Sequence, residues 1–134
     1  MKKQENVSLD KPKRKRNPKN SRSRGNAYER RIAQELRDIG FPGVVTSRSE
    51  SKRMDNAKVD LIDTEHKLKC LLQLKLTQAT PNYFKIRKEC PIKDTPFCII
   101  WNKTKQTDST YRSEGEVVLL DKDFFYKLIQ KYYE

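Results

Sequence analysis

Residues 68–76 (LKCLLQLKL) constrain the fold of this chain more than any other stretch. Side chains two apart on a strand share a face. Leu68, Cys70, Leu72, Leu74 and Leu76 then make one face that is apolar throughout. Lys69, Leu71, Gln73 and Lys75 make the other, which turns from apolar to polar at Gln73. The first face calls for a core, and the second opens where a site would lie. Just upstream, residues 58–62 (KVDLI) read as a second strand, and residues 64–67 (TEHK) supply a turn. Four turn residues make the two strands antiparallel neighbours, so Asp60 can project beside Gln73 and Lys75. An amide oxygen, a carboxylate and an ammonium would meet on one patch.

The flanking segments complete an α/β pattern. Residues 26–39 (NAYERRIAQELRDI) have helical periodicity, with Asn26 as cap, Glu29 three residues on as in a capping box, and Gly40 as terminator. On a helical wheel Tyr28, Ile32, Ala33, Leu36 and Ile39 form the apolar arc. Glu29 falls inside that arc, while Arg30 and Arg37 point away. An acid on a core-facing stripe costs stability unless something uses it. Residues 41–46 (FPGVVT) read as a first strand, and residues 47–56 (SRSESKRMDN) as a polar loop. Residues 82–90 form a short helix or an irregular crossing, and residues 96–102 (PFCIIWN) a buried strand. Residues 103–115 read as a polar loop and residues 116–120 (EVVLL) as the last strand. Residues 121–133 form a closing helix capped by Asp121, with Phe124, Phe125, Leu128 and Ile129 on its apolar side.

Charge separates a tail from a body. Of 134 residues, the first 24 carry ten Lys/Arg against two Asp/Glu, while the rest carry twenty against sixteen. Residues 1–24, nearly devoid of apolar side chains, read as a disordered polycation, and residues 25–134 as one domain. A solubilising extension or a localisation signal is the plainer reading of the tail. Such asymmetry suits a strongly anionic partner, nucleic acid first and an anionic membrane surface second. No apolar stretch reaches the roughly 20 residues needed to span a bilayer, and no signal peptide is expected. The three cysteines have no metal-type spacing, and Cys70 and Cys98 lie in apolar runs, so a reduced, cytoplasmic setting is expected. His66 is the single histidine and lies in a turn, which leaves no histidine-based hydrolase or zinc-finger chemistry.

The pattern points to phosphodiester cleavage. Hydrolysis needs a hard cation on oxygen ligands, an attacking water and charge stabilisation in the transition state. Asp60 offers an anionic oxygen; the Gln73 side chain and the Leu74 backbone carbonyl offer neutral ones. Lys75 can orient or deprotonate the water, and Glu29 can hold a second cation or its water. Asp55 and Asp63 flank Asp60 as lesser candidates. Tyr83, Phe84, Tyr111 and Trp101 could stack on bases, although aromatics in or beside strands more often fill the core.

The stretch 25–75 resembles archaeal-type Holliday junction resolvases of the PD-(D/E)xK nuclease superfamily. The resemblance is carried by Gly25-Asn26-Ala27-Tyr28-Glu29-Arg30, Gly40-Phe41, Val44-Val45-Thr46-Ser47, Val59-Asp60-Leu61 and Gln73-Leu74-Lys75. It implies a restriction-endonuclease-like α/β core, a central mixed sheet flanked by helices. It implies Mg²⁺ or Mn²⁺ as cofactor, catalytic Glu29, Asp60, Gln73 and Lys75, and a homodimer that cuts branched DNA. It also implies phosphate contacts from Arg30 and the loop containing Ser47, Arg48 and Ser49. Arg24, Lys52 and Arg53, with Lys13, Arg14, Lys15 and Arg16 of the tail, extend the expected DNA surface. The chain departs from the pattern twice. The loop over residues 48–58 is longer, and Gln73 stands where an acid is usual. Gln at this place resembles Mrr-type restriction endonucleases and some transposase nuclease subunits, which act on duplex DNA. A DNA-binding relative without activity is the remaining alternative.

Overall fold

In the computed structural model, residues 18–108 and 110–134 are described. The elements run α1 (Pro18–Asp38), β1 (Val44–Thr46), α2 (Ser47–Glu50), α3 (Lys52–Asn56), β2 (Leu61–Asp63), β3 (Leu71–Thr77), α4 (Tyr83–Glu89), β4 (Phe97–Gln106), β5 (Tyr111–Leu119) and α5 (Lys122–Tyr132). The five strands form one mixed sheet in sequence order. β1, β2 and β3 are antiparallel, β4 is parallel to β3, and β5 returns antiparallel to β4. The α/β class with a mixed sheet flanked by helices is therefore as expected.

The alternation in β3 sorts the core into two layers. Leu72 and Leu74 pack with Tyr28, Ile32 and Ala33 of α1, with Val44, Leu61 and Cys98, and with Phe124 of α5 at the margin. Leu71 packs on the opposite side with Ala57, Val59, Cys90, Phe97, Ile99 and Trp101. Cys70 and Cys98 are free thiols in the first layer, as read from their apolar surroundings.

Several boundaries differ from the sequence reading. α1 starts at Pro18, inside the segment expected to be disordered, so Asn26 lies within the helix and caps nothing. Residues 1–17, which hold the rest of the expected tail, lie outside the described residues. α1 ends where expected: Phe41 N–H donates to the Leu36 carbonyl and Gly40 N–H to that of Arg37, with Gly40 at φ +118°. That paired closure requires a left-handed residue and favours glycine. The chain has left the helix by Ile39, which is 70% exposed rather than part of the apolar face.

The expected loop 47–56 is instead two short helices. The Ser51 hydroxyl accepts from Met54 N–H to start the second, and Met54 packs on the second core layer. β2 starts at Leu61 rather than at 58, because Lys58 takes φ +69°. β3 starts at Leu71 rather than at 68. Before it, the Asp63 carboxylate accepts from the N–H groups of Glu65, Lys67 and Leu68. A side chain has taken over the backbone donors, so the turn supplants the ladder there. The expected loop 103–115 is mostly strand. β4 runs on to Gln106 and β5 begins at Tyr111, with a register shift at Lys103/Thr104. Most side chains of this ribbon are exposed, which polar residues suit, so their polarity did not mark a loop.

Candidate active site

β3 is paired very differently along its two edges, and the candidate site lies on the open one. Toward β4 it makes seven consecutive pairs, from Leu71↔Phe97 to Thr77↔Lys103. Toward β2 there is one, Leu61↔Leu72. Asp60 N–H also donates to the Leu72 carbonyl, at 2.8 Å. Two residues thus answer one, the count that defines a β-bulge and re-aims the side chain there. The Asp60 carbonyl accepts from Ser47 N–H at 2.8 Å, and the buried Ser47 hydroxyl donates to the Val59 carbonyl. The backbone of Asp60 is fixed from both sides.

Its side chain then closes the gap in the ladder. Asp60 Oδ2 accepts from Leu74 N–H at 2.7 Å. N–H and C=O of one strand residue point to the same edge, so the Leu74 carbonyl faces the side that β2 has left. Gln73 is buried, and its Oε1 has no hydrogen-bond partner among the described residues. An unsatisfied buried carbonyl is costly and is the atom a cation would take.

Electrostatics join these residues to α1. Burial pushes the Asp60 carboxyl up to about 6; the Leu74 N–H opposes this, the Glu29 charge adds to it and Lys75 counters it. Glu29 is half-buried and is also raised, chiefly by burial, with Arg48 working against the shift. Arg48 of α2 reaches Glu29 Oε1 at 3.2 Å. Glu29 therefore forms no capping box; the arc analysis placed it correctly as an inward acid. Asp55 of α3 raises both Asp60 and Glu29. The sequence reading ranked Asp55 low because it fell in an apparent loop; the signal was Met54, one apolar residue anchoring a polar run.

The structure thus brings Glu29, Asp60, Leu74, Lys75 and Arg48 together, with Gln73 adjoining them in sequence on β3. It does not bring Ser47 to a DNA-facing position: Ser47 is fully buried, and its role is to hold the Val59–Asp60 backbone. Ser49 is exposed but donates to the Thr46 carbonyl at 2.9 Å. Arg30, Lys52 and Arg53 are exposed, and Arg24 is half-buried against Tyr111. Lys13, Arg14, Lys15 and Arg16 lie outside the described residues. Asp63 is committed to its turn. Trp101 is buried and Tyr83 donates to the Phe97 carbonyl at 2.6 Å, so both serve packing. Phe84 stands 83% exposed.

Among the described residues no three His, Cys, Asp or Glu side chains cluster as a metal site, and no helix is long and apolar enough to cross a membrane. The oxygen set here is instead two acids, an amide and a backbone carbonyl. Compared with known proteins, the chain matches no family model, no curated protein and no solved structure.

Proposed function

We propose that this protein is a metal-dependent endodeoxyribonuclease of the PD-(D/E)xK kind, acting on branched DNA as a homodimer in the cytoplasm. The observation that carries this reading is the buried Gln73 Oε1, without a partner among the described residues, one residue before the Leu74 N–H that donates to the Asp60 carboxylate. Crowded oxygens short of donors are what a hard cation relieves. The order helix, three antiparallel strands, helix and parallel strand supports a restriction-endonuclease-like core.

Asp60, Gln73 Oε1 and the Leu74 carbonyl would hold Mg²⁺ or Mn²⁺, with Glu29 at the margin. The bound cation would supply Lewis-acid polarisation of a phosphoryl oxygen. Lys75 presents its ammonium to the attacking water or to the phosphate, orienting one and offsetting the charge of the other. Arg48 holds the Glu29 carboxylate in place and lowers the cost of its ionisation. Ser47 and the Leu74 N–H keep Asp60 in one orientation.

Nicking of four-way junction, flap and plain duplex DNA, with Mg²⁺, Mn²⁺ or a chelator, tests the reading. Cleavage confined to branched DNA and abolished by the chelator is expected. Equal cutting of duplex and junction would move the protein to the duplex-acting class that Gln73 also suits. DNA binding with no cutting under any cation would leave only the inactive, DNA-binding alternative.

A further inference from the structure

A recess of mixed lining adjoins the candidate active site. It has a volume of about 240 Å³ and lies between the first turns of α1 and the far ends of β3 and β4. Ser21 and Arg24 come from α1, Lys75 and Thr77 from β3, Thr104 from β4 and Tyr111 from β5, and no acid among the described residues lines it. The Arg24 guanidinium lies over the Tyr111 ring, 3.9 Å from its centroid. Stacking uses the face of a guanidinium and leaves its in-plane N–H donors for a ligand. Ser21 Oγ is shut off from solvent and has no partner among the described residues. A cation fork beside an unspent hydroxyl, with no acid among the described residues, suits a phosphate.

Its place says which phosphate. Leu74 and Lys75 line the recess, and Leu74 N–H is the group that Asp60 fixes. From Leu74 to Leu76 a strand advances about 7 Å, so the recess opens one short step along β3 from the Asp60 carboxylate. We propose that it binds the phosphate next to the scissile one, on the strand being cut, and so sets that strand in register over Asp60 and Lys75. This rests on the nuclease reading for the word scissile; the recess itself does not.

Methylphosphonate scanning tests it. DNA substrates each carry one uncharged linkage near the cut, and the full-length wild type is compared with Arg24→Gln, Arg24→Lys and Ser21→Ala. In the wild type, one linkage adjacent to the cut should cost about tenfold in cleavage and in binding, the worth of a charge-assisted contact. In Arg24→Gln the same linkage should cost nothing further, while Arg24→Lys and Ser21→Ala should fall between. Equal sensitivity of wild type and Arg24→Gln at every linkage overturns the proposal. If no DNA is cut, the nuclease reading fails, and fluorescence anisotropy on the same DNAs still decides whether Arg24 reads one phosphate. A third arm uses inorganic phosphate. A melting-temperature rise lost in Arg24→Gln, with no sensitive linkage in any DNA, assigns the recess to free phosphate and overturns the strand-register role.

Discussion

The two edges of β3 share seven residues and almost nothing else. Along β4 every residue from Leu71 to Thr77 has a partner, and Phe97, Ile99 and Trp101 fill the space beneath. Along β2 the ladder is reduced to one pair and a side chain, Asp60, that takes the Leu74 N–H. The closed edge fixes the position of β3. At the open edge β2 pairs only Leu72, and the buried Gln73 Oε1 is without a partner among the described residues; such groups are what chemistry can use. One strand thus carries a packed side that supports stability and a frustrated side that costs it.

That contrast predicts mutations of opposite sign. The largest effect is on the closed edge. Phe97 is fully buried, so Phe97→Ala should lower stability by about 3–5 kcal/mol, read as a lower denaturant midpoint at unchanged slope. A loss under about 1 kcal/mol would mean that this layer is not packed as described. The open edge should answer in the other direction. The Asp60 carboxyl sits above its usual 3.8, at about 6, so the folded state holds its proton more tightly than the unfolded chain. Ionisation therefore opposes folding: the penalty is absent below the unfolded value, grows as pH rises toward about 6 and is complete above it. Asp60→Asn removes the charge and keeps an oxygen for Leu74 N–H. It should stabilise the protein by roughly 1–3 kcal/mol above neutrality and by almost nothing near pH 4, while abolishing cleavage. Gained stability with lost activity is the mark of a functional residue set against the fold. Destabilisation at both pH values would place Asp60 among ordinary structural acids.

The sequence made the closed edge legible and only half of the open one. The alternation of Leu68 to Leu76, the apolar run at 97–101 and the helical arc from Tyr28 to Leu36 depend on periodicity, which burial enforces. The convergence of Asp60, Gln73 and Lys75 followed from the same period. What could not be read was set by single hydrogen bonds. Asp63 captures three backbone donors and delays the start of β3, and Ser51 starts a helix in a run with no apolar period. The family resemblance implied phosphate contacts from the loop that holds Ser47. Its burial follows from how the chain leaves β1, which no local pattern records.

Gln73 gives the smallest effect and the sharpest division. It is 8% exposed and its amide carbonyl is unpaired among the described residues, on the same face as Lys75. Were it merely a filler, Gln73→Met would keep the volume, remove an unsatisfied oxygen and add about 1 kcal/mol of stability, with no other consequence. Were it a ligand, the same change would also abolish the rise in melting temperature that Mg²⁺ gives the wild type, since a cation binding only the folded state stabilises by mass action. Gln73→Glu turns the comparison over. It adds a further negative charge to those of Asp60, Glu29 and Asp55, which should push Asp60 higher still and lower stability without cation. With Mg²⁺ present, the added charge should deepen the cation's hold, so the melting-temperature rise should exceed that of the wild type. A Glu variant whose response to Mg²⁺ equals the wild type's would remove Gln73 from the site, and the open edge of β3 would then be strained without use.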